Sequence, residues 1–135
     1  MLFSSCEVKP EPINYGDDHC HFCDMTVVDK THASLYTTQK GRSYKFDAIE
    51  CLIDQLEQDE SESKMAFLLV ADYTNPGKLL DAKTATFLIS KKIKSPMGAF
   101  LSAFPSKEKA DETQKEFGGK TYSWEELKST LAKGK

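Results

Sequence analysis

Apolar positions in this chain fall into short β-branched runs, separated by one long stretch with three- and four-residue spacing and by polar breaks. Met25-Thr26-Val27-Val28-Asp29 predicts a strand. Ala33 to Thr38 and Ser43 to Phe46 flank the polar, glycine-containing Gln39-Lys40-Gly41-Arg42 and predict a hairpin. Asp47 predicts a helix N-cap, with Glu50 three residues on completing a capping box. Ile49, Leu52, Ile53 and Leu56 then lie on one face of that helix, and the acidic run from Glu57 to Glu62 ends it. Met65 to Tyr73 returns as a strand, and Asn75-Pro76-Gly77 closes a first half.

The order then repeats. Leu79 to Asp81, Thr86 to Ser90 and Ala99 to Phe104 predict strands, the last following Ser95-Pro96-Met97-Gly98. Ser106 caps a helix running to about Phe117, and Gly118-Gly119 stops it by tolerating positive φ. Thr121-Tyr122 is a last strand, and Ser123 with Glu126 forms a second capping box for a terminal helix to about Leu131. The expected fold class is α+β, with two related halves over 20–77 and 78–135 and a leading segment over 1–19.

Composition narrows the function. The 135 residues carry 39% hydrophobic and 29% charged side chains, as an ordinary globular domain does. The net charge of −3 and the lack of any basic run give a nucleic-acid partner no electrostatic support. No apolar stretch approaches the length of a membrane span; the longest, Ala66 to Ala71, suits a buried strand. Met1-Leu2-Phe3-Ser4-Ser5-Cys6 resembles the end of a bacterial lipoprotein signal, without the positive start and most of the apolar run. The expectation is a signal shortened at its start, with Cys6 the acylated residue; the alternative is a free surface thiol. With Cys6 lipidated, the segment 7–19, broken by Pro10, Pro12 and Gly16, becomes a tether. Thirteen extended residues reach about 45 Å.

The stretch His19-Cys20-His21-Phe22-Cys23-Asp24-Met25 carries the candidate chemistry, and three readings compete for it. A redox Cys-x-x-Cys opens a helix, whose dipole lowers the thiol pKa, whereas a strand is expected after Cys23. Structural zinc wants four closed ligands, and the chain adds only isolated Cys51 and His32 to the Cys20–Cys23 pair. Cu(I) is soft, takes thiolate and thioether together and accepts few ligands. Side chains two apart on a strand share a face, so Cys23 and Met25 could grip one ion. One thiolate with one Cu(I) is neutral, which keeps the cost of burial low. Core packing competes for both methionines, and position alone puts packing first for Met97. Cys51 lies off the apolar stripe of its helix and faces either the site or solvent; His21 is a weaker candidate, ahead of His19.

His21-Phe22-Cys23-Asp24-Met25 resembles the Cys-x-Met signature of the NosL family, lipoproteins of nitrous oxide reductase maturation. The likeness continues through Tyr44-Lys45-Phe46-Asp47, Cys51-Leu52, Asp72-Tyr73, Asp81-Ala82 and Ala85-Thr86-Phe87. It extends to Ser95-Pro96-Met97-Gly98, Ala103-Phe104, Ala110 and Phe117-Gly118-Gly119, covering about residues 20 to 125. The resemblance implies two ββαβ-type halves and a periplasmic, membrane-anchored Cu(I) chaperone that is not an enzyme. It implies delivery of copper to nitrous oxide reductase with that enzyme's membrane maturation machinery as partner. By position it makes Cys23, Met25 and Met97 the metal ligands, which reverses the order for Met97. Cys20 and Cys51 occur in only some relatives and receive no role from it. Leu79-Leu80 stands where the family often has tryptophan. The alternative function is a zinc-stabilised interaction module using Cys20, Cys23 and Cys51 with a histidine.

Overall fold

A computed structural model describes residues 7–133 of the chain; Cys6, the expected lipidation site, lies outside them. The elements follow the order strand β1 (Ser34–Thr38), β2 (Ser43–Phe46), helix α1 (Ile49–Asp59), β3 (Met65–Ala71), β4 (Leu79–Asp81), β5 (Thr86–Ile89), β6 (Leu101–Phe104), α2 (Lys107–Phe117), β7 (Lys120–Tyr122) and α3 (Trp124–Lys133). β1-β2-α1-β3 and β5-β6-α2-β7 are the two ββαβ halves. Each forms an antiparallel sheet, in the order β2-β1-β3-β4 and β6-β5-β7.

The hairpin register pairs Ser34 with Phe46 and Thr37 with Ser43, which leaves the Gln39–Arg42 loop at the tip as expected. β4 follows the first turn-rich break in sequence, yet it hydrogen-bonds to β3, so the first sheet gains a fourth strand that the second lacks. In the second sheet Gly119 meets β5 so closely that an added Cβ would run into the Ile89 carbonyl. Glycine is required there for backbone approach as much as for its φ of 100°.

Two of the three helix starts behave as their sequences predict. Lys109 N–H donates to Ser106 Oγ at 3.2 Å, and Ser123 and Glu126 exchange both bonds of a capping box. The start of α1 differs. Ala48 occupies the cap position with no side-chain hydrogen bond, and Asp47 turns its carboxylate elsewhere.

The expected strand over 25–29 does not form. Asp24 sits at φ 67°, and a single isolated bridge joins His19 to Thr26. Val27 does point inward and Val28 outward, as β-branched residues on a strand would. Their partner segment is the turn-rich Asn14–Asp18, which offers backbone groups only to Val27. The chain from Glu11 on is tied to the first hairpin: Glu11 N–H donates to Ser43 Oγ, and Lys45 pairs with Glu11 and Asp18.

One core serves both halves. Phe46, Leu52 and Val70 from the first pack in the same buried cluster as Phe87, Leu101, Trp124 and Leu127 from the second. α1 lies against β1, β2 and β6, so it bridges the sheets. A buried polar contact reinforces the join. His32, just before β1, places Nδ1 2.9 Å from Asp29 Oδ2 and Nε2 2.9 Å from Ser102 Oγ on β6. Burial of the polar groups is thereby matched by hydrogen bonds.

Candidate metal centre

Cys20 and Cys23 lie at a turn, not on a strand. Cys20 N–H donates to the Met25 carbonyl at 2.7 Å, and Asp24 N–H donates to the Cys20 carbonyl at 2.8 Å. The arms before and after this turn are held by Val27 N–H to the Asp18 carbonyl and Gly16 N–H to the Val27 carbonyl. A third bond, His21 N–H to the Lys45 carbonyl, presses the turn against β2. Neither a helix nor a regular strand starts at Cys23, so the segment that carries Cys20 and Cys23 supplies no helix dipole of its own.

The turn meets the first turn of α1. Asp47 and Cys51 are four apart, hence on one side of the helix start. Cys20, Cys23, Cys51 and Asp47 bring their sulfur and oxygen atoms within 4.8 Å of one another. A trigonal set with metal–sulfur distances of about 2.3 Å needs sulfurs about 4 Å apart. Small side-chain rotations therefore suffice to close the cluster on an ion. All three cysteines are free thiols. Cys23 and Cys51 each place Sγ 3.4 Å from Asp47 Oδ1 and donate to it. Asp47 thus serves the thiols instead of capping the helix. The sequence signal for this was its spacing from Cys51, which the capping pattern with Glu50 concealed.

The three thiols are electrostatically unequal. A hydrogen bond with Cys51 pulls the Cys20 thiol down; burial opposes it, and the backbone N–H groups of Cys23, Asp47 and Phe22 add to it, leaving Cys20 at about 6. Burial pushes Cys23 up to about 11, against the Met25 N–H, and the negative neighbours Cys20 and Asp47 push the same way. Cys51 is raised, first by its hydrogen bond to Cys20 and then by burial. The hydrogen bonds directed at Cys20 thus favour ionisation there over Cys23 and Cys51.

Exposure divides the candidate ligands into two groups. Cys20 and Cys51 are 2% and 1% exposed, while Met25 and Met97 are 55% and 41% exposed. Cys23 is half-buried between them. The left-handed Asp24 breaks the alternation that would carry Met25 to the same face as Cys23. Met97 sits in a tight turn closed by Gly98 N–H to the Ser95 carbonyl and Phe100 N–H to Ser95 Oγ. Phe100, at φ 58°, takes a backbone conformation that costs an aromatic residue energy. That turn is pinned to α1: Glu50 Oε2 accepts from Ala99 N–H at 3.1 Å, one residue before Cys51. Glu50 Oε1 is buried with no hydrogen-bond partner, and burial raises the carboxyl above its usual range.

No histidine joins the cluster. His21 is exposed, with its ring 4.4 Å from that of Tyr44. His19 Nδ1 contacts the Asp24 carbonyl, and His32 belongs to the contact between the halves. The zinc alternative expected a histidine as its fourth ligand; Asp47 occupies that place.

Comparison with known proteins agrees with the architecture. A crystal structure of the copper chaperone NosL from Shewanella denitrificans superposes with a TM-score of 0.75 over 89% of this chain and 96% of that one, at 22% identity. The copper-binding lipoprotein NosL of Stutzerimonas stutzeri is 27% identical across 90% of this chain and 68% of its own length. The family model described as NosL matches residues 12–132, and with a match over nearly its whole length the chain belongs to the NosL family.

Proposed function

We propose that this protein is a Cu(I) chaperone of the cell envelope, held to the membrane by a lipid on Cys6, that delivers copper to nitrous oxide reductase and its membrane maturation machinery. The observation that carries the copper reading is the packing of two further free thiols, Cys20 and Cys51, around Cys23. Sulfur-rich sets favour soft Cu(I) over harder divalent ions. Cys23 is the central ligand, with Met25 and Met97 as thioether partners and Cys20 and Cys51 as additional thiols. Delivery proceeds by ligand exchange, with no bond in a substrate made or broken. The protein's part is to hold the ion reduced and accessible. The ligands are supported from outside by the backbone N–H groups directed at Cys20 and by the Glu50 carboxylate that fixes the Met97 turn.

Anaerobic competition against a chromogenic Cu(I) chelator tests the reading. The wild type should bind one ion, and Cys23→Ser should lose at least about a hundredfold in affinity, more than outer-shell changes do. An unchanged dissociation constant would remove Cys23 from the site. The anchor is tested separately: protein from native membranes should carry an acyl group on Cys6 by mass spectrometry, and a free Cys6 thiol would refute it. No helix among the described residues is long and apolar enough to cross a membrane.

A second reading keeps one specific support. The Asp47 oxygen lies beside three thiols, which is a possible tetrahedral zinc set. Asp47→Asn separates the two: it should weaken zinc and leave Cu(I), which has little use for a carboxylate, within about threefold.

A further inference from the structure

Resting on the copper reading, we infer that the segment 22–28 is the docking surface for the copper acceptor, and that the acceptor meets it with an apolar patch ringed by lysine or arginine. Four large apolar side chains are exposed among the described residues, and three of them, Phe22, Met25 and Val28, lie in this seven-residue segment with Cys23. They are 40%, 55% and 65% exposed. Single exposed apolar residues are ordinary, but a group of them on one segment marks an interaction site.

Backbone bonds hold the group in place. Those from Cys20 N–H to the Met25 carbonyl and from Asp24 N–H to the Cys20 carbonyl close one turn that contains Phe22, Cys23 and Met25. Val27 N–H, bonded to the Asp18 carbonyl, fixes the following arm with Val27 buried and Val28 facing out. Phe22 shares a surface hollow with Asp54, Glu57 and Gln58 of α1. Cys20 and Cys51 are buried and Cys23 is only half-buried, so an acceptor's ligand reaches the cluster at this turn.

Charge decides which partner fits. Between Glu7 and Asp29 six acidic residues stand with one basic residue, Lys9, and between Asp47 and Glu60 six stand with none. These two segments build the thiol cluster, and they hold twelve of the 21 acidic but one of the 18 basic side chains. The rest of the chain is net positive. Asp24 in the turn and Glu57 beside Phe22 are exposed, so negative charge lies at the apolar group itself. Lys45, which borders the turn on its other side, is already paired with Glu11 and Asp18. Such a field repels anionic lipid headgroups and the same face of a second copy, and it attracts a basic rim. Three apolar side chains make a small contact, which suits a carrier that must separate after transfer.

Synthetic acceptor peptides test the surface. Three fluorescently labelled peptides carry the same Cys-x-x-Cys ligands between flanks of lysine and leucine, glutamate and leucine, or lysine and serine. The full chain is loaded with Cu(I) under anaerobic conditions, and transfer to each peptide is followed by stopped flow at low ionic strength. The lysine–leucine peptide should be loaded about tenfold faster than the glutamate–leucine one, and the gap should close to about twofold in about 0.5 M salt. Asp24→Asn with Glu57→Gln should narrow the gap about threefold. Phe22→Ser with Val28→Ser should remove the advantage of leucine over serine. None of these four residues is a proposed ligand, so chelator competition should return the wild-type affinity for Cu(I). Equal loading of the lysine and glutamate peptides overturns the basic rim, and equal loading by the wild type and the serine variant overturns the docking surface. Cosedimentation with phosphatidylglycerol vesicles, abolished in the serine variant, assigns the surface to lipid; dimerisation in the ultracentrifuge, abolished likewise, assigns it to a second copy. Either result overturns the proposal. Fluorescence anisotropy follows docking of the same peptides to the copper-free chain. A protein that binds no Cu(I) yet prefers the lysine–leucine peptide therefore refutes the copper reading alone.

Discussion

The two halves set three strands in the same order, β2-β1-β3 and β6-β5-β7, but place their helices in different surroundings. α1 is covered on several sides, burying Ile49, Cys51, Leu52, Ile53, Gln55 and Leu56. α2 buries Ala110 and little else. The consequence for function is direct. A helix enclosed by both sheets can hold a thiol and a carboxylate against a neighbouring loop with little freedom. A helix lying on one sheet can only shield it. The first half therefore supplies all of the clustered thiols, and the second contributes one loop with Met97. A repeated topology here carries a site in one copy because burial differs, not because the strand order does.

The largest test of this contrast compares the helices themselves. Leu52→Ala should cost about 2–5 kcal/mol, the usual range for emptying a buried leucine site. Lys115→Ala, on the exposed side of α2, should stay within about 0.5 kcal/mol. Urea unfolding at unchanged slope measures both, and similar losses would break the comparison.

Next in size is the contact that joins the halves. His32→Ala leaves Asp29 and Ser102 without their buried partner, and should cost about 1–3 kcal/mol. Its pH dependence follows from Asp29. Burial pushes that carboxyl up, but hydrogen bonds from Thr31 and His32 outweigh it and leave Asp29 below its ordinary value. A lowered carboxyl contributes stability that is complete above the unfolded-state value of about 3.9 and is lost as pH falls through the folded one. The stability gap between wild type and Asp29→Asn should therefore be present at neutral pH and close in acid below about pH 4. A gap that stays constant down to pH 2 would show that Asp29 acts by shape alone.

The smallest effect concerns helix starts. Ser106→Ala should cost about 1 kcal/mol, because α2 depends on its local cap. α1 has no side-chain cap to lose, so its start is held by burial. Thermal unfolding that left Ser106→Ala unchanged would mean α2 is fixed by packing too, and would narrow the difference between the halves.

Much of the fold was legible along the chain because its signals are local. The hairpin around Gly41, the stripe of Ile49, Leu52, Ile53 and Leu56, the caps at Ser106 and Ser123 and the stop at Gly118-Gly119 each act within a few residues. The site was legible in part. Cys20 and Cys23 stood out by spacing, and the family signature marked Cys23, Met25 and Met97. The spacing of Asp47 from Cys51 was the one signal for its role, and the capping pattern concealed it, since a cap and an acceptor for two thiols use the same carboxylate. The Met25 segment misled for a related reason: its β-branched residues favour a strand, but a strand needs a partner with backbone groups to offer, and Asn14–Asp18 forms a turn instead.

Sequence by itself determined the order of elements from β1 onward, the repeated halves and the presence of soft sulfur ligands, because period, cap and composition are properties of short stretches. Tertiary structure alone decided that Cys51 faces Cys20 and Cys23, that Asp47 joins them and that the two methionines stay outside. Those outcomes depend on which surfaces of a turn, a helix start and a distant loop end up buried against one another. Burial is a property of the assembled chain, and no local pattern contains it.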